Sequence, residues 1–117
     1  TSGTAISNLY KKITNREISG EEISKLAREG DINALKAWEE FTHALAYALS
    51  WSVNMIDPEA VIIGGSVIHS ADIFWDSMVS LFKKHICPQT ATRIQVKPTD
   101  LKDNAGFMGA AALMFVE

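Results

Sequence analysis

The chain has 117 residues, 47% hydrophobic and 21% charged, with a net charge of −3. That length suits one compact domain rather than two. The charge shows no basic stripe of the kind that grips nucleic acid, and no apolar run approaches the roughly 18 residues needed to span a bilayer.

The start, TSGTAISNLYKK, lacks the basic-then-apolar order of a secretory signal. It also lacks an initiating methionine, so the expectation is a piece of a longer protein, with residues 1–117 forming one unit. The single cysteine, Cys87, has no partner for an internal disulfide. It reads as a small buried or half-buried side chain, and the expected compartment is cytoplasmic.

Helical spacing of Ile6, Leu9, Tyr10 and Ile13 predicts a first helix, with Ser2 and Thr4 as possible caps. Ser19 stands three residues ahead of Glu22, a capping-box spacing, and Gly30 stops the second helix. Asp31 caps a long third helix reaching about Ile56. Its stripe is Leu35, Trp38, Phe41, Leu45, Leu49, Val53 and Ile56. The second half of that helix is filled by alanines and serines and is poor in charge, so packing on more than one side is expected.

Asp57-Pro58 ends the helix, because a residue before proline is pushed out of the α region. AVIIG then reads as a strand covered on both faces. Ser70 or Asp72 can cap a further helix, with Ile73, Phe74, Met78, Leu81 and Phe82 as its buried face and Pro88 beyond its end. RIQVK reads as a second strand near an edge, and AGFMGAAALMF as a last helix. The class is therefore α/β with parallel pairing. Two strands are too few for a parallel sheet buried on both faces, which predicts either that another chain completes the sheet or that the rest of it belongs to a part of the protein outside this sequence.

Gly64-Gly65-Ser66 falls where the first strand ends, the place where ligands collect on open α/β sheets. Read alone, the pair is as simply a turn. It is no dinucleotide fingerprint, since the third glycine is missing and no helix is expected at once, and it has no GK[ST] phosphate loop. Ser2-Gly3-Thr4 at a helix start could face an anion or merely cap the helix. His43, His69 and His85 lack metal-ligand spacing, so no metal is expected. The carboxylates Asp57, Asp72, Asp100 and Asp103 have ordinary cap and loop roles available, and no catalytic residue is assigned. Trp38, Trp51 and Trp75 suit a core or a subunit interface.

Taken together, "SGTAI" at 2–6, "GDINAL" at 30–35, "NMIDPEAVIIGGSV" at 54–67 and "DNAGFMGAAAL" at 103–113 resemble the C-terminal part of ROK-family proteins. That family comprises bacterial sugar kinases and related sugar-responsive repressors. The resemblance implies the C-terminal half of an actin-like ATPase fold, with ribonuclease-H-like halves and ATP between two domains. It implies that Gly64 and Gly65 form the adenosine-binding motif, that Ser66 and Val67 flank the base, and that Gly3 and Thr4 lie across the nucleotide near its ribose or phosphates.

The family's DxGGT phosphate loop, its general-base aspartate, its GTGxGGG segment and the CxCGxxGC cysteines of its structural zinc are not found in these 117 residues. The resemblance therefore implies ATP with magnesium in a longer parent, zinc in an upstream part and none here, and no phosphoryl transfer by this chain alone. Upstream sequence of the same protein would supply the further strands. Because SGTAI is intact, the favoured parent is an ATP-dependent, glucokinase-like sugar kinase. The alternative is a ROK transcriptional repressor, in which case DNA is a partner. A homo-oligomer is expected in either case, and a membrane in neither.

Overall fold

In the computed structural model of the chain, the described residues are 2–56, 58–98 and 111–115, with side chains described for 5–55 and 58–98. Three helices come first: α1 (Ser2–Thr14), α2 (Gly20–Arg28) and the 25-residue α3 (Ile32–Ile56). The strand β1 (Ala60–Gly64) follows and leads straight into a 3-10 helix, Ser66–Ser70. After it come α4 (Ala71–Lys84), α5 (Pro88–Arg93), β2 (Gln95–Pro98) and β3 (Ala111–Phe115).

Local chemistry sets the early boundaries. Asn15, with φ of 62°, turns the chain out of α1 by a left-handed residue, and its N–H reaches Lys11 O at 2.7 Å. The Ser19 hydroxyl accepts from Glu22 N at 3.2 Å, which gives α2 its cap. Gly30, with φ of 93°, makes the left-handed turn after α2, and Asp31 Oδ2 accepts from Ala34 N at 2.9 Å to start α3. Ile56 is the last residue of α3 and Pro58 follows in a buried position. Asp57 itself lies outside the described residues.

The core gathers α1, α2 and α4 on one side of α3. Tyr10, Ile23, Trp38, Phe41, Leu49, Phe74, Met78 and Phe82 are all buried. Of the expected α3 stripe, Trp38, Phe41, Leu45, Leu49 and Val53 are buried, whereas Leu35 is 43% exposed. Leu35 sits in the first turn of α3, where little else reaches it. The second half of α3 is packed on one side, not more. Leu49, Ser50 and Val53 face inward, while Tyr47, Trp51 and Met55 face out, 50%, 70% and 81% exposed. In α4, Phe74, Met78 and Phe82 are buried, and Ile73 and Leu81 pack at the rim of the core.

The sheet has three parallel strands in the order β2-β1-β3. β2 pairs with β1 from Ala60↔Gln95 to Ile63↔Pro98, and β3 from Ala60↔Ala111 to Gly64↔Phe115. This corrects two expectations. The segment 111–115 is a strand, not part of a last helix, and the described residues provide three strands where two were expected. The cause is tertiary. All five residues of β1 are buried, so its N–H and C=O groups need partners along both edges, and that demand overrides the helix preference of Ala-Ala-Leu-Met. The remainder of the expected helix, 105–110, lies outside the described residues.

Three further expectations change. A 3-10 helix does follow Gly65 at once. Pro88 opens α5 at its first position, where its missing N–H costs nothing, besides lying beyond the end of α4. Cys87 is exposed, not buried, because it sits on the turn into α5 with its Sγ 2.7 Å from Gln89 Oε1. No helix among the described residues is long and apolar enough to cross a membrane.

Candidate functional site

β1 is the central strand, and its carboxyl end is where open α/β sheets present ligands. There Gly64 completes the strand and Gly65 takes φ of 99° and ψ of −175°. Residues with a side chain are essentially barred from that region, so the second glycine of the pair is required by the backbone itself. The chain then drops into the 3-10 helix, whose Val67 is buried and whose Ser66 and His69 are exposed.

Beside this turn lies a cavity of about 590 Å³, enclosed by residues from four elements. The 3-10 helix contributes Ser66, Val67, His69 and Ser70, α1 contributes Ile6, and α3 contributes Trp38. The opposite wall is α2 with its cap: Ser19, Gly20, Glu21 and Ser24. The wall is thus part apolar and part hydroxyl. Trp38 Nε1 is buried with no hydrogen-bond partner among the described residues. Among the described residues, neither lysine nor arginine lines the cavity, and Glu21 does.

Of the residues expected at a site, the structure brings Ser66 and Val67 to this cavity, with Gly64 and Gly65 immediately before them. Gly3 and Thr4 lie in the first turn of α1, one turn ahead of Ile6, and their side chains lie outside the described residues. Sequence reasoning missed the α2 wall altogether. Ser19 reads there as a cap and Ser24 is given no role, and no local signal places them opposite residues more than 40 positions away.

Two polar ties join the walls. The Ser24 and Ser70 hydroxyls share a hydrogen bond of 2.8 Å. Ser70 therefore gives α4 no side-chain cap. Arg28 donates from Nε to Asp72 Oδ2 at 2.8 Å, and from Nη2 to Asp72 Oδ1 at 2.9 Å and to the His69 carbonyl at 3.1 Å. The hydrogen bond from Arg28 holds the Asp72 carboxyl below the ordinary aspartate range, against the opposing pull of partial desolvation. Among the described residues, no group of three or more His, Cys, Asp or Glu could hold a metal ion.

The model of the ROK family matches residues 1–116. The chain belongs to the ROK family. Its relatives include sugar kinases and xylose repressors. It is 31% identical over 88 residues to a glucokinase of Thermotoga maritima, covering 75% of this chain and 28% of the glucokinase. It is 28% identical over 108 residues to a xylose repressor of Bacillus spizizenii, covering 91% of this chain and 28% of the repressor. It is 27% identical over 112 residues to an N-acetyl-D-glucosamine kinase of Histophilus somni, covering 96% of this chain and 36% of the kinase. This ROK chain thus spans about a third of the length of those relatives.

The fold agrees. A ROK hexokinase from Thermus thermophilus superposes with a TM-score of 0.74 at 21% identity, over 89% of this chain and 36% of the hexokinase. A sugar kinase from Cytophaga hutchinsonii superposes at 0.71 and 18% identity, over 87% of this chain and 38% of that one. The ROK chain is α/β, helix-rich with a short parallel sheet, and has the fold of the C-terminal half of an actin-like ATPase.

Proposed function

We propose that this chain is the C-terminal part of an ATP-dependent ROK sugar kinase of glucokinase type, and that it supplies the adenosine wall of the nucleotide cleft. The observation that carries the reading is the cavity at the carboxyl end of β1, reached through a backbone turn that demands Gly65 and lined by Ser66 and Val67. Apolar surface from Ile6, Trp38 and Val67 suits the faces of a purine, and the hydroxyls of Ser19, Ser24, Ser66 and Ser70 suit its edge and a ribose. The carboxylate of Glu21, and the lack of lysine or arginine among the described lining residues, argue that the nucleoside end, not the triphosphate, belongs here. Gly3 and Thr4 would stand nearer the ribose or phosphates.

In the parent protein, ATP with magnesium supplies the phosphoryl group that passes to a hexose hydroxyl. This chain's residues bind and orient the nucleoside. No catalytic residue is assigned to it, because phosphoryl transfer depends on positioning the γ-phosphate, the metal and the attacking hydroxyl together. Those parts, and the structural zinc, are assigned upstream. The chain by itself is accordingly inactive, in a cytoplasmic parent.

The 28% and 29% identities to two xylose repressors, each over 91% of this chain, favour a second reading. There the chain would be the effector-binding and oligomerising part of a DNA-binding parent. The test is turnover by the parent protein with glucose and ATP. Sugar-dependent release of ADP is the expected result. Loss of sequence-specific DNA binding on adding a sugar, with no ADP formed, would replace the kinase by the repressor.

For both parents we infer a homo-oligomer in which a second copy covers the outer face of α3. Tyr47, Trp51 and Met55 recur there at every fourth position, all exposed, and no charged residue falls between Ala44 and Ile56.

A further inference from the structure

Neither end of the 3-10 helix that carries Ser66 and Val67 is closed by a side-chain cap: Gly65 has no side chain, and Ser70 caps nothing in α4. Burial of Val67 anchors its inner face. The outer end is gripped from across the cavity. The Arg28 guanidinium, on the last residue of α2, takes the His69 carbonyl with one N–H and both Asp72 oxygens with two others. One planar group thereby holds the end of the 3-10 helix and the start of α4 together. One turn back on α2, Ser24 adds its bond to Ser70.

We propose that Arg28 is a positioning residue for the nucleoside cavity, setting the separation of its α2 wall from its Ser66–Ser70 wall. The role rests on the nucleotide-binding reading above. Arg28 itself does not line the cavity. An ion pair as exposed as this one adds little to global stability. Its consequence is local: without the fork, the 3-10 helix loses the bond to its His69 carbonyl and α4 loses both bonds to Asp72, while the burial of Val67 and the Ser24 bond remain. Lysine cannot replace it, since a single ammonium has no planar fork to span a carboxylate and a carbonyl together.

The experiment uses adenosine as the probe, because it is uncharged and its affinity reports on the cavity rather than on phosphate contacts. In the parent protein, Arg28→Gln should weaken adenosine binding and raise the KM for ATP by about fivefold, while the KM for glucose moves by less than about twofold. Arg28→Lys should remain weakened. The charge-reversed pair Arg28→Asp with Asp72→Arg should recover at least half of the lost affinity. If Arg28→Gln fails to fold, Asp72→Asn weakens the same fork from its other side at a residue that does not line the cavity, and should weaken adenosine by about threefold. Unchanged adenosine affinity in Arg28→Gln or Asp72→Asn, or an equal rise in both KM values, overturns the positioning role. A wild-type parent that binds neither adenosine nor ATP overturns the nucleotide reading itself, and the role with it.

Discussion

The Trp38 indole and the Phe74 ring lie in parallel planes, 2° apart with centroids 5.7 Å from each other, and join α3 to α4. Phe41 stands edge-on to both, at 5.3 Å from Trp38 and 6.0 Å from Phe74. Phe74 is fully buried, so Phe74→Ala should lose the transfer energy of the ring and leave a cavity, together about 3–5 kcal/mol. Phe74→Leu should cost less than about 2 kcal/mol, since it preserves most of the volume. Urea unfolding followed by Trp fluorescence measures both. A loss below about 1 kcal/mol for the alanine variant would contradict the central place given to this stack.

Gly65 permits a sharper separation of backbone from ligand effects. Its φ of 99° and ψ of −175° make any side chain there costly by about 1–3 kcal/mol, whatever the side chain's size. Gly65→Ala and Gly65→Val should therefore destabilise the protein by similar amounts. If the nucleoside lies against this backbone, the two should differ in the KM for ATP, with valine raising it well beyond alanine and both raising it more than the KM for sugar. Equal KM values for ATP in the two variants would leave strain as the whole effect and remove Gly65 from the site.

How far the fold could be read from sequence depended on the range of the interactions involved. Ser19 and Asp31 announce their helices through bonds three residues long, and both caps are found. Trp38 to Val53 announce an inward face through spacing alone. The misreadings that bear most on the site are long-range, whereas those at Gly65, Cys87 and Pro88 are local. Ala111–Phe115 has the composition of a helix, and the open edge of β1 makes it a strand. Asp72 looks like a helix cap, and Arg28, 44 residues earlier, takes its carboxylate. The glycine pair marked one wall of the candidate site. The opposite wall was invisible, because nothing in the sequence near Ser24 says that Ser70 will stand 2.8 Å away.

Acid should act on this same tie. The Arg28 hydrogen bond depresses the Asp72 carboxyl in the folded protein relative to its ordinary value. A depressed carboxylate contributes stability above its unfolded pKa, and that contribution fades as pH falls through the folded value. The tie should therefore be intact at neutral pH and weaken progressively as pH falls below about 4, the ordinary aspartate value. Since both partners are largely exposed, the amount is no more than about 1 kcal/mol. Asp72→Asn should be less stable than wild type at pH 7, and the gap should narrow as pH falls below about 4. A gap between the two that persists or widens in acid would show that Asp72 acts by something other than its charge.

The outer face of α3 makes the final prediction. Tyr47, Trp51 and Met55 are 50%, 70% and 81% exposed, which leaves roughly 400 Å² of apolar side chain uncovered on each copy at typical residue sizes. That is about half of the 800 Å² per partner found in stable interfaces, and the apolar groove between α1 and α3, with Ala5, Leu9 and Ala44 on its walls, adjoins the same helix. Light scattering should give a dimer for the parent protein at micromolar concentration and a monomer for Trp51→Glu. Because Trp51 is mostly in water within one copy, the substitution should shift the stability of the isolated monomer by no more than about 0.5 kcal/mol. A Trp51→Glu variant that remains dimeric would place the contact elsewhere on the molecule, and a monomeric wild type at high concentration would end the inference of a second copy on this face.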